Sequence, residues 1–208
     1  MTPGLSPGAT QPDDVLFARA RRGDGVAFAA LVTRYWNAVH RIGWNMLPAK
    51  AAAAEVAEAT FLSALRGEAS FSDGAPFLTA LYRKAMTEAL KRVVGPPHGA
   101  TKSLGIFLPR FDTHGRLATS GTDWTRLPGV AFDQDELAET IRAILLRLDT
   151  LDRAAFVLHV VEQLPLEEAA AALRIPLHDA RLRTHRASLV ITGFLGQLFE
   201  SLQTSRLS

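Results

Sequence analysis

The chain contains no cysteine. Disulfides, thiolate nucleophiles and cysteine-ligated zinc are therefore excluded. Its six histidines are scattered and form no HExxH or comparable ligand pair. No glycine-rich loop follows a strand-like run to hold phosphates, and no Ser/His/Asp grouping lies on a turn that would activate a nucleophile. Glu167 and Glu168 are adjacent, so on a helix they point in different directions and make no acid–base pair. The expectation is a protein that is not an enzyme and uses neither metal nor cofactor. Aromatic residues are few, at 8%. Neither sign of charge dominates: 23 basic against 21 acidic side chains leave a formal net charge of +2. Any attraction to nucleic acid must then come from local clustering rather than from a global field. No apolar run is long enough to span a bilayer. The opening MTPGLSPGATQPDD lacks the basic and apolar regions of a signal peptide. A cytoplasmic protein without membrane contact is expected.

What the sequence does have is alanine and aliphatic side chains. Hydrophobic residues make up 48% of 208, enough for one large or two small helical domains. The most informative stretch is residues 164–189, LPLEEAAAALRIPLHDARLRTHRASL. Pro165 suits a first helical position, and Glu167 and Glu168 favour the positive end of the helix dipole. Pro176 pushes Ile175 out of helical geometry and ends that helix. A second helix restarts around residues 177–179. Ala180, Thr184 and Ala187 recur at i, i+4, i+7 and give it a packing side. Its other positions carry His178, Arg181, Arg183, His185 and Arg186 against one acid, Asp179. A packed helix, a short turn and a basic helix make the helix-turn-helix pattern. A helical hairpin with a solvated basic face has the same composition. The agreement of turn, packing side and basic side favours DNA binding.

Taken in order, residues 1–12 are rich in Pro, Gly, Ser and Thr and read as a disordered tail. A first helix starts at Asp13 and Asp14. Gly23 is its expected C-cap and Asp24 the N-cap of the next. That second helix carries Ala27, Phe28, Leu31, Val32, Tyr35, Trp36, Val39, Ile42, Gly43 and Met46 at helical spacing, a core stripe. A third helix is predicted over 51–65, with Val56, Thr60 and Phe61 inward, and a fourth over 77–94. Residues 98–135 hold many breakers and read as a long linker. Helices over 135–148 and 153–162 then lead to the helix-turn-helix, the latter with Phe156, Val157 and Val160 inward. The tail over 189–202 stays apolar. It either packs on its own domain or offers a surface to a regulator.

RARRGDGVAFAALVTRYWNAVHRIGWNML, EVAEATFLSAL and FLTALYRKAMTEALKR together resemble region two of the extracytoplasmic-function sigma factors of bacterial RNA polymerase. LLRLDTLDRAAFVLHVVEQLPLEEAAAAL followed by RIPLHDARLRTHRA resembles their region four. The resemblance implies an all-α chain of two small helical domains, region two at 13–97 and region four at 136–208, joined by the linker. It implies core RNA polymerase, through clamp and flap, and promoter DNA as partners, and an anti-sigma factor as a further one. Region two would bind the clamp and melt the minus-ten element. Region four would read the minus-thirty-five element as duplex.

Carried onto matching positions, the resemblance assigns Glu55, Val56, Glu58, Ala59, Phe61 and Leu62 to core polymerase. It assigns Phe71, Ser72, Lys84, Thr87, Lys91 and Arg92 to the minus-ten strand, with Phe71 and Ser72 lining a pocket for a flipped base. Phe71 reads equally as a loop anchor in the core. His178, Asp179, Arg181, Leu182, Arg183, His185 and Arg186 fall to the minus-thirty-five element. Residues at the start of such helices reach base edges, so Arg181 is the expected base contact and Arg183 and Arg186 the phosphate contacts. Leu182 could meet a thymine methyl. Departures from the family pattern stand at AAAEVAEATFL, where several acids of the usual DAEDLVQETFL are alanine. They also stand at Ala80 for a tryptophan, Thr87 for a frequent asparagine and Arg174 for a common glycine. They predict weaker electrostatic docking and less promoter melting, and strain at Arg174 if that position needs positive φ. In the linker, Phe107, Phe111 and Trp124 beside Arg110, Arg116 and Arg126 suit either docking on the two domains or threading through polymerase. Two other readings stay open: a degenerate sigma-like regulator acting by protein contact, and a helix-turn-helix regulator with an unrelated N-terminal domain.

Overall fold

The computed structural model describes residues 11–68, 71, 74–93 and 134–205, with side chains in the last stretch placed for 137–196. Ser72, the tail up to residue 10 and the linker aromatics lie outside the described residues. Among the described residues eight helices run in the order α1 (Asp13–Ala20), α2 (Gly25–Met46), α3 (Ala51–Leu65), α4 (Phe77–Arg92), α5 (Gln134–Leu145), α6 (Thr150–Phe156), α7 (Leu166–Leu173) and α8 (Leu177–Ser205). One π-helical turn, Val157–Val161, extends α6. No strand occurs among the described residues. The all-α expectation holds.

The helices begin where the local chemistry dictates. Asp24 accepts from the backbone N–H groups of Val26 and Ala27 and so caps α2. Asp149 does the same for Leu151 at the start of α6, one turn earlier than the sequence pattern suggested. Pro165 stands just before α7 rather than inside it. The core stripe of α2 buries Leu31, Val39, Ile42 and Met46 against α3 and α4. Gly43 lets α3 come close, since a Cβ there would lie 2.8 Å from the Cα of Ala53. Val56, Thr60 and Phe61 face inward as expected. Val160 does not and is 43% exposed. The cause is the π-helical turn: its extra residue per turn rotates the register and carries Val160 out of the stripe.

The buried apolar residues form one contiguous cluster running from Leu16 to Ile191. Polar contacts join α1–α4 to α5–α8 across it. Arg142 is 7% exposed and donates to the carbonyls of Trp44, Leu47 and Pro48 at 2.8–2.9 Å, capping the end of α2. Its guanidinium and the Lys50 ammonium each lie 4.6 Å from the centre of the Trp44 ring. Arg41 grips Glu162 with two bonds of 2.7 and 2.6 Å, and the Glu162 side chain is fully shielded from solvent. Burial pushes the Glu162 carboxyl above its ordinary range, with Arg41 pulling the other way. Thr79 of α4 donates to Glu168 of α7.

Three helix ends share one design. At Gly23, Gly67 and Arg174 the chain turns left-handed, at φ of +92°, +66° and +56°. The next residue's N–H returns to the carbonyl five residues back in each, the Schellman closure: Asp24 to Arg19, Glu68 to Ser63 and Ile175 to Ala170. Two of the ends use glycine. The third, the turn of the helix-turn-helix, uses arginine and carries the strain that its Cβ imposes. Arg174→Gly should therefore stabilise the chain by about 0.5–1 kcal/mol and raise the melting temperature by about 2 °C, the gain being partly offset by the freer unfolded glycine. Thermal melts of parent and variant check it. A lowered midpoint would mean that the arginine side chain contributes more than its backbone costs.

Candidate nucleic-acid interface

The helix-turn-helix consists of α7 and α8. The small inner positions Ala180, Thr184 and Ala187 are buried, which lets α8 lie close on α6 and α7. The opposite side presents His178, Arg181, Leu182 and His185, all exposed, with Leu182 at 53%. Asp179 is half-buried and sits 3.1 Å from the His178 ring. Arg183 and Arg186 lie on the flank. Arg183 reaches Asp152 at 2.9 Å and Asp149 at 3.5 Å, and Arg186 reaches Asp152 at 3.4 Å. Asp152 is 1% exposed. Burial pushes its carboxyl upward while Arg186 and Arg183 oppose the shift. Thus the residues assigned to the minus-thirty-five element divide into an open stripe and a tethered flank.

On α4, Thr87 is exposed, and Lys84, Lys91 and Arg92 converge on one carboxylate. Glu88 lies 3.0 Å from Lys84, 2.9 Å from Lys91 and 3.0 Å from Arg92. Lys84 also pairs with Glu68 at 2.7 Å, and Arg92 lies 3.7 Å from Glu55. Burial opposes ionisation of Glu88, but the bonds from Lys91, Lys84 and Arg92 outweigh it and hold the carboxyl down at about 2. Sequence reasoning passed over Glu88, although its spacing was a signal: Lys84, Lys91 and Arg92 stand at i−4, i+3 and i+4 from it. Asp152 gave no such signal, because nothing in a sequence says which acid lies under a helix 31 residues away.

On α3, the residues assigned to core polymerase split by burial. Glu55, Glu58 and Leu62 are exposed, Ala59 is half-buried, and Val56 and Phe61 belong to the core. Leu65, at 45% exposed, continues the open side. Phe61 stacks on Trp36 at 6.1 Å between ring centres and meets Phe28 edge-on at 6.4 Å. Phe71 is 8% exposed and packs with Phe17 and Phe77, at 5.6 and 6.1 Å. These three rings line a cleft of about 440 Å³ between α1 and the start of α4, with Asp14 and Arg21 as its charged members. Among the described residues no cluster of His, Asp and Glu could hold a metal ion, and no helix is long and apolar enough to cross a membrane.

The family model for sigma-70 region 4 matches residues 138–189, the part containing the helix-turn-helix. The chain is 29% identical over 183 residues to the extracytoplasmic-function sigma-E factor of Escherichia coli K12, covering 84% of this chain and 90% of that protein. It is 26% identical over 176 residues to the sigma factor SigW of Bacillus subtilis, covering 81% and 88%. The solved structure of CnrH in complex with the cytosolic domain of CnrY has the same fold, with a TM-score of 0.61 at 22% identity over 89% of this chain and 97% of that one. The part of the chain that holds the helix-turn-helix is thus similar to region 4 of the sigma-70 class. The sigma-E factor and SigW are both extracytoplasmic-function sigma factors, and the chain is similar to each over more than four-fifths of its length.

Two stability predictions follow from these contacts. Phe61→Ala empties a stacked core position and should cost about 3–5 kcal/mol in urea unfolding, whereas Glu55→Lys or Glu58→Lys should leave the unfolding free energy within about 0.5 kcal/mol of the parent. For Glu88 the folded carboxyl titrates near 2 against an ordinary 4.5, so its contribution is whole above pH 4.5 and is lost as the pH falls toward 2. Glu88→Gln should cost about 1–3 kcal/mol at neutral pH, with the two unfolding curves converging in acid. A gap that persists at the lowest pH would assign the loss to something other than the ion pairs.

Proposed function

We propose that the chain recruits core RNA polymerase to promoters through three surfaces on a two-domain body, 13–97 and 136–208, joined by 98–135. The observation that carries this reading is the open stripe of α8. His178, Arg181, Leu182 and His185 stand exposed on the second helix of a helix-turn-helix that matches sigma-70 region 4. Arginine donors and an apolar side chain on one face suit base edges and a thymine methyl in a major groove. Arg181, in the first turns, reads a base of the minus-thirty-five element. Arg186, still 42% exposed, takes a phosphate.

The open side of α3, with Glu55, Glu58 and Leu62, docks on the polymerase clamp, and Val56 and Phe61 support it from beneath. The domain containing α8 meets the flap. Thr87 and the cations of α4 face the minus-ten strand, and the cleft beside Phe71 receives a flipped base. That CnrH was solved with CnrY supports an anti-sigma factor as a further partner. One observation favours a second reading, a sigma-like regulator that acts by protein contact with little melting. Glu88, with Glu68 on Lys84 and Glu55 near Arg92, offsets the charge that Lys84, Lys91 and Arg92 would offer to a single strand. Run-off transcription with core polymerase and a genomic fragment library separates the two. Transcripts that depend on the added chain support the first reading. A stable complex without transcripts supports the second.

At the duplex, Arg181→Ala should cost about 1–3 kcal/mol on the preferred sequence and relax preference at one position. Arg186→Ala should weaken all sequences alike and make the salt dependence shallower by about one unit of slope. Titrations at several salt concentrations, on matched and scrambled duplexes, measure both. Unchanged affinity in both variants would reduce the basic face to a solvated surface.

A further inference from the structure

We infer that Asp152 is a positioning residue for the recognition helix: it withholds Arg183 from the DNA backbone and fixes the rotation of α8 about its own axis. The inference rests on the duplex-reading role proposed for α8. Four observations lead to it. First, the inner face of α8 is built from Ala180, Thr184 and Ala187. Such small side chains allow close approach but offer little shape to resist rotation. Second, Thr184 Oγ1 is buried without a hydrogen-bond partner, so the middle of that face supplies no directional bond from this side chain. Third, the Asp152 carboxylate is shielded from solvent and touches α8 through two arginines one helical turn apart, Arg183 at 2.9 Å and Arg186 at 3.4 Å. A buried carboxylate is costly unless paired, so α8 is held at the rotation that keeps both contacts. Fourth, at that rotation His178, Arg181, Leu182 and His185 all face solvent.

The two arginines are held unequally. Arg183 lies between Asp152 and Asp149 and is 28% exposed, whereas Arg186 makes one longer contact and is 42% exposed. Arg183 is therefore the tether. Arg186 is shared between the acid and a phosphate. The buried acid thus lowers the unspecific, backbone-driven share of binding and protects the share read from bases.

The test uses the full chain and two duplexes, one carrying the preferred sequence and one scrambled, titrated at several salt concentrations. Asp152→Asn keeps shape and volume but removes the nearer of the two charges that hold Arg183. The slope of log affinity against log salt should steepen by about one unit. Affinity for the scrambled duplex should rise, and the ratio of preferred to scrambled binding should fall about fivefold or more. A merely structural role would weaken both duplexes and leave the slope unchanged. Arg183→Gln is the second variant. It removes a cation that is already engaged, so it should leave the slope within about half a unit of the parent while lowering the preference ratio. A folded Asp152→Asn protein with the parent's slope and ratio overturns the proposal alone. So does a loss of a full unit of slope in Arg183→Gln, which also decides the matter should Asp152→Asn fail to fold. A parent chain that binds neither duplex overturns the duplex-reading role and this proposal with it.

Discussion

The end of α2 is the point on which the arrangement of the molecule depends. A helix leaves its last carbonyls without partners, and burying them unpaired is costly. Here the carbonyls of Trp44, Leu47 and Pro48 are met by one guanidinium, that of Arg142. The arginine sits on α5, 95 residues further along the chain than Leu47, so a local requirement of one helix end fixes where a distant helix lies. Trp44 covers the charge, and Lys50 pairs with Glu139 beside it. With α5 in place, Arg41 reaches Glu162 and α7 comes against α4 at Thr79. Removing one partner from such a buried contact exposes the other as an uncompensated polar group, so these joints are worth more intact than their number suggests.

Charge in this protein is managed locally. A chain with a formal net charge of +2 has no global field to draw in DNA. On α4 and α8 the cations stand in small groups, each with its own acid. Glu88 gathers three cations on α4, and Asp152 gathers two on α8. The cation left outside such a group on the open stripe of α8 is Arg181, flanked by two histidines and a leucine. A reader built this way depends on a few side chains at defined positions rather than on bulk positive charge, which suits discrimination between sequences better than adhesion to any of them.

Much of the helical framework was legible in the chain. The stripe of α2, the cap at Asp24, the span of α3 and the break at Pro176 follow from periodicity and turn chemistry, because these signals act over one or two helical turns. The left-handed position at Arg174 was legible only as a condition, since arginine itself gives no hint of positive φ. The outward turn of Val160 was not legible at all. A π-helical turn arises from packing and leaves no mark in the order of residues. For the site, the basic residues of α8 could be named, but not which of them are engaged. Arg183 and Arg181 are the same residue type two positions apart, and only the presence of Asp152 beneath one of them sets them apart.

By itself the sequence determined an all-α protein with a helix-turn-helix, no thiol chemistry and no strong net charge. These properties follow from composition and from short-range spacing, which the chain carries wherever it folds. The tertiary structure decided which carboxylate meets which cation. It also decided that Val160 turns out of the core, and that the end of α2 is capped from the other half of the chain. Those outcomes depend on burial and on groups brought together from distant positions, and a buried charge finds its partner only when the folded core leaves it no water.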